Sequence, residues 1–173
     1  IQYGLSGGSA TTVYPESDFS NSSIISGGSL IEVPYQPSVT ITDLKQKDGS
    51  IGKVSIDRVS LSCKVYEGAT DSSMSKGAGH YTSSGIYTGN IGLFGHNRGS
   101  HAYFAKLKNV KIGDIVEYKT AIGTKTYQVT FVGSISCTDY SYLNEMGDNR
   151  ITLITCIANQ PSLRLCVQAV EIR

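Results

Sequence analysis

From Ile51 onward the chain alternates. The run "IGKVSIDRVSLSCKVYE" sets Val54 and Ile56 at every second position, and after a break in phase Val59, Leu61, Cys63 and Val65 continue it. Successive side chains of an extended backbone point to opposite faces, so a period of two marks a half-buried strand. The theme returns in "DIVEYKT", "KTYQVTFVGSI", "RITLITC" and "LRLCVQAVEI". These runs are rich in Val, Ile, Thr and Tyr, which suit a pleated surface. Gly123, in "AIGTK", stands between two of them as a hairpin turn demands. Helical periodicity is weak, with short pieces around Ser72–Lys76 and Ala102–Lys108. Many short strands with turn signals predict a mostly β fold, a closed barrel or a sandwich, carrying a few short helices.

The first fifty residues read differently. "SGGSATT" and "NSSIISGGS" have linker composition, Pro34 and Pro37 bias their predecessors toward extended backbone, and "DLKQKDG" has room for one helical turn ending at Gly49. The expected organisation is therefore a linker or arm over residues 1–50 and one barrel domain over 51–173. The arm reads as a tether, with a regulatory segment covering the site as the sharper alternative. Net charge is +1, from 15 basic and 14 acidic residues, with no basic cluster interleaved with aromatics. Nucleic acid is not an expected partner. No run approaches the roughly 18–20 apolar residues of a membrane span.

Three segments carry the candidate chemistry. "LFGHN" places His96 just after an apolar run, "RITLITC" ends a strand on Cys156, and "LRLCVQAVEI" opens a strand with Arg164. A thiol at the end of a rigid strand is well placed for a nucleophile, and its reactive thiolate needs a base or cation nearby. Acyl transfer further needs a fixed donor for the oxyanion. Of the four cysteines, Cys63, Cys137 and Cys166 read as packing residues, and Cys166 also as a redox partner for Cys156. No CxxC occurs, so a zinc site is unsupported, and neither a metal nor another cofactor is expected. His80 and His101 compete with His96, and Arg98 and Arg150 with Arg164. Asp114 reads as a turn residue.

At this point the chain resembles the sortase family. "TLITC" is similar to the family's TLxTC motif, with Cys156 as its last residue. "FGHN" resembles the histidine segment, followed by Gly113-Asp114, and Arg164 lies eight residues after Cys156 as the family arginine does. "IGKVSIDRVSL", "VYEG" and "GAGHY" are similar to the opening strands and the loop before the histidine strand, so the likeness covers residues 51–172. It implies an eight-stranded β-barrel and a cysteine transpeptidase tethered to the outer face of a Gram-positive cell membrane. It further implies an LPxTG-type sorting-signal peptide as acyl donor, and an amine of a cell-wall precursor or a pilin lysine as acceptor. Cys156 would be the nucleophile, His96 the proton-transfer partner and Arg164 the oxyanion or substrate stabiliser, with Thr155 contributing to substrate binding. The Asn97-Arg98 pair and compact loops lean toward class D or pilin-type relatives. No acidic cluster suggests calcium, and Asp18-Phe19 is the nearest thing to a lid motif. The rival readings are a cysteine endopeptidase releasing the acyl group to water and a catalytically silent β-barrel binding module.

Overall fold

The computed structural model describes residues 24–26, 29–31 and 38–172. Two compact units divide between Pro37 and Ser38. In the first, β1 (Ile24–Ser26) and β2 (Ser29–Ile31) form an antiparallel hairpin. Pro34, Pro37 and Asp18-Phe19 lie outside the described residues.

The second unit is a closed eight-stranded barrel, one of the two forms the alternation allows and the one the resemblance implies. Its strands are β3 (Ser50–Ile56), β4 (Leu61–Glu67), β5 (Ala78–His80), β6 (Asn90–Phe94), β7 (Ile115–Thr120), β8 (Gly123–Ser136), β9 (Arg150–Ile157) and β10 (Gln160–Ile172). They close in the order β10-β8-β7-β3-β4-β5-β6-β9, with β9 returning to β10. The break in phase after Ile56 is a 3₁₀ turn, Asp57–Val59, ended by Ser60 at φ +52°. Gly123 opens β8 directly after a two-residue turn, paired with Thr120. The two expected helical pieces are present but shifted: α2 is Asp71–Met74, and the second is a 3₁₀ turn over Ala105–Asn109.

The barrel unit begins upstream of the alternating pattern. Thr40 caps α1 (Ile41–Leu44), its hydroxyl accepting from the Asp43 N–H while the Asp43 carboxylate accepts from the Thr40 N–H. Leu44 is fully buried in the core, and Val39 and Ile41 pack on it. The helical turn expected in "DLKQKDG" thus ends at Leu44, well before Gly49. One amphipathic turn is too short to announce its own burial by periodicity.

Inside the barrel Ile51, Val54, Ile56, Leu61, Val65, Leu93, Val116, Tyr118, Tyr127, Leu153 and Val167 fill the core. Strand β9 differs from its neighbours because both faces are covered over most of its length. Ile151, Leu153 and Thr155 face inward. Thr152 and Ile154 face outward, where Ile154 joins Ile135, Leu143 and Cys166 in a second cluster. That cover stops at Cys156, whose side chain is exposed. The end of the outer cluster is what opens a site there.

Candidate active site

Cys156 and Arg164 are partners across the antiparallel β9–β10 pair, and Arg164 also opposes Ile135 of β8. Directly opposed residues share a face, so thiol and guanidinium stand together on the outside of the barrel. They line a cleft of about 370 Å³ with His96, Ile135, Cys137, Tyr81, Phe94 and Tyr140. Arg164 Nη1 donates to the Pro161 and Leu163 carbonyls at 2.9 and 2.8 Å, which fixes the guanidinium at the mouth of the β9–β10 turn. Among the described residues its Nε and Nη2 donate to nothing. A second, more polar cleft of about 350 Å³ lies on the other side of Cys156 and Arg164, lined by Asn97, Arg98, Asn159 and Gln160. Cys156 and Arg164 thus line both grooves.

His96 follows β6, which runs parallel to β9 with Phe94 opposite Ile154. Its position is set from both sides. The Gly95 N–H donates to the Ile154 carbonyl at 3.2 Å, and the Thr155 hydroxyl donates to the Gly95 carbonyl at 2.6 Å. Asn97 Nδ2 donates to the Cys156 carbonyl at 2.6 Å. His96 itself accepts through its carbonyl from the Phe104 N–H at 2.9 Å. Gly95 is required there: a Cβ would stand 2.6 Å from the Phe104 ring. Both neighbours of His96 are therefore tied to the strand that bears Cys156.

The competing residues have other work. His80 is fully buried, its Nδ1 against Glu67 Oε2 at 2.7 Å and its Nε2 against the Gly85 carbonyl at 2.8 Å, so neither nitrogen faces the cleft. His101 is exposed and stacks on Tyr103, apart from both grooves. Arg150 is paired with Asp148 at the far end of β9, about 20 Å of strand from Cys156. Arg98 is exposed and lines only the second groove. Burial pushes the thiols of Cys63 and Cys166 up to about 12, which leaves them unreactive at neutral pH. Cys137 shares the cleft with Cys156 but has no arginine opposite it; all four cysteines are free thiols. Asp114 holds its turn by accepting from the Lys111 N–H and from Arg58. Among the described residues no group of three or more His, Cys, Asp or Glu is placed to hold a metal ion.

Thr155 is buried beside the cleft and spends its hydroxyl on Gly95. That tether is not announced by residue type, although a period of two already sets residue 155 on the face opposite Cys156. Nor does the sequence mark Asn97 as a contact to Cys156, or Tyr81 and Tyr140, whose rings stack at 6.1 Å across the cleft. The aromatic content of "DYSYL" was visible, but its partner lies far away in the chain.

A family model described as the Sortase domain matches residues 54–172. Sortase A of Bacillus anthracis is 29% identical over 132 residues, covering 75% of this chain and 62% of that protein. Sortase A of Listeria monocytogenes is 30% identical over 112 residues, covering 64% of this chain and 50% of that protein. The chain thus spans less than two thirds of either relative. The crystal structure of a lid-mutant of Streptococcus agalactiae sortase C1 superposes with a TM-score of 0.70 at 26% identity, covering 75% of this chain and 72% of that one. With the barrel order, the "TLITC" strand and the domain match in agreement, the chain belongs to the sortase family.

Proposed function

We propose that this protein is a cysteine transpeptidase that cleaves an LPxTG-like sorting signal and passes the acyl group to an amine. The observation that carries the reading is the cross-strand pairing of Cys156 with Arg164 in one cleft with His96. The Cys156 thiolate attacks the scissile carbonyl carbon, and its oxygen takes up the negative charge. Arg164 meets that charge with the donors its backbone contacts leave over, since a guanidinium offers five in a fixed fork. His96 gives a proton to the departing amine, leaving a thioester on Cys156. It then takes a proton from the incoming amine, which attacks the thioester and expels the Cys156 thiolate, so that thiolate and imidazolium are both restored.

The groove with Tyr81, Phe94 and Tyr140 suits the apolar side of an extended acyl donor. Thr155 contributes to substrate binding as a wall of that groove and as the tether of Gly95. The acceptor is an amine of a cell-wall precursor or a pilin lysine. The place of work is the outer face of a Gram-positive membrane, and the family likeness supports both points. No described helix is long and apolar enough to cross a membrane.

The test is a peptide-library assay in which cleaved products are identified by mass spectrometry with and without an added amine. Capture of the acyl fragment by the amine is expected. Release to water alone, at every amine concentration, would make the protein an endopeptidase, and no cleavage at all would favour a silent binding module.

A further inference from the structure

Outside the catalytic cleft, a buried polar cluster sits on the outer face of β9. Asn90, Thr152 and Gln168 are buried there, on β6, β9 and β10. Thr152 Oγ1 donates to Asn90 Oδ1 at 2.7 Å and accepts from Gln168 Nε2 at 3.1 Å. The remaining amide donors all go to one place. Asn90 Nδ2 donates to the carbonyls of Tyr142 and Asn144 at 2.9 and 2.8 Å, and Gln168 Nε2 donates to Tyr142 at 2.9 Å. Gln168 Oε1 accepts from Arg150 Nη1 at 3.4 Å. Every polar atom of the three side chains is matched, and what they grip is the backbone of the loop between β8 and β9, residues 137–149.

The same loop lines the cleft with Cys137, Asp139 and Tyr140. Its inner side is seated by Leu143 over Gly92, where a Cβ would meet the Leu143 side chain at 2.6 Å, and by Tyr142 stacked on Phe131 at 5.3 Å. Tyr140 projects from this anchored segment, half exposed, onto Tyr81. A loop free to move would have no use for three buried polar side chains on three strands, each costly to bury unless paired.

We propose that Asn90, Thr152 and Gln168 are positioning residues that clamp the 137–149 loop in its binding-ready form and present Tyr140 to the acyl-donor peptide as a fixed wall of the cleft. This assigns the first threonine of "TLITC" a part in substrate recognition, exerted through Tyr140 and not at the reacting atoms. The inference rests on the reading of the cleft as the acyl-donor site. A preformed wall binds ground state and transition state alike, so its loosening raises KM and spares kcat.

The experiment joins two readouts on Thr152→Val, Gln168→Leu and the hydroxyl-retaining Thr152→Ser. Hydrogen–deuterium exchange of residues 138–146 reads the clamp without any substrate. Loss of one buried hydrogen bond in the clamp is expected to speed loop exchange roughly tenfold, with the rest of β9 unchanged. Steady-state kinetics on a sorting-signal peptide then read the consequence: KM up about five- to tenfold and kcat within about twofold. Thr152→Ser restores both, and Thr152→Val adds nothing to the KM of Tyr140→Ala. Unchanged loop exchange in the folded Val and Leu variants overturns the clamp, as does a fall in kcat at constant KM or a KM effect that adds to Tyr140→Ala. If the wild-type protein fails to turn over the peptide, the functional reading falls and the exchange result alone decides the clamp. Gln168→Leu keeps the test open where Thr152→Val does not fold.

Discussion

Replacing Thr155 by Val tests how His96, the proposed proton-transfer residue, is held. The substitution keeps the β-branched shape and removes one hydroxyl. That hydroxyl donates at 2.6 Å to the Gly95 carbonyl, which accepts no other hydrogen bond among the described residues. Thr155 is only 4% exposed, so the variant leaves a buried carbonyl unpaired. An orphaned buried acceptor costs about 1–3 kcal/mol. For a domain of this size that lowers the melting temperature by roughly 2–12 °C. The second effect is local. His96 keeps its ties through Asn97 and through the Gly95 N–H, and loses the one through the Gly95 carbonyl. A proton-transfer group contributes roughly 10²–10⁴-fold, and a misplacement near 1 Å removes about 10²-fold, so kcat is expected to fall about 10- to 100-fold. The assay is peptide cleavage under saturating substrate, run beside thermal denaturation. Thr155→Ser retains the donor and should recover most of both losses. A Val variant with the expected thermal loss but kcat within twofold of wild type would refute the tether and leave Thr155 a fold residue.

Arg164→Lys is expected to lower kcat about 10²–10³-fold with a smaller change in KM, while Arg150→Lys, 20 Å of strand away, is expected to affect stability and not turnover. Steady-state kinetics on both separate them, and normal turnover in Arg164→Lys would move the oxyanion role elsewhere. Deleting residues 1–37 keeps α1 and gives the reference melting temperature for the barrel unit. Deleting 1–49 removes the buried Leu44 and is expected to cost at least about 2–5 kcal/mol, the range for a Leu→Ala truncation. Equal thermal stability of the two fragments would contradict the packing of α1. The guanidinium of Arg58 beside Asp114 holds that carboxyl below the usual carboxylate range. Its contribution is therefore complete above about pH 4, the unfolded carboxylate value, and is lost as pH falls through the lower folded value. Thermal melts from pH 7 to pH 2 should show a shallower acid decline in Asp114→Asn than in wild type, and parallel curves would refute the pairing.

Much of the barrel is legible in the chain because its strands are covered on one face. In β7 the burial alternates strictly from Ile115 to Thr120, and the residue types follow it from Val116 to Lys119. Strand β5 escapes such reading: it has three residues, and its neighbourhood is written in glycines whose reasons are tertiary. A Cβ on Gly77 would stand 2.1 Å from the Lys64 carbonyl, and one on Gly79 2.6 Å from that of Gly68. At the site, Cys156, His96 and Arg164 could be picked out by residue type and order. Thr152, Asn90 and Gln168 could not, because a polar residue in a strand reads as solvent-facing until the loop that covers it is known. Thr152 and Asn90 are 62 positions apart and meet only through the parallel pairing of β6 with β9. Leu44 belonged to the same class, a core residue in a segment of linker-like surroundings.

In the proposed reaction Cys156 carries the acyl group. The direct measurement is the intact mass of the protein mixed with an LPxTG-type peptide and quenched in acid before turnover completes, followed by peptide mapping. The expected result is an added mass equal to the acyl fragment, located on Cys156, removed by hydroxylamine and absent from Cys156→Ala at unchanged circular dichroism. An adduct on Cys137, or continued cleavage by a folded Cys156→Ala protein, would contradict it.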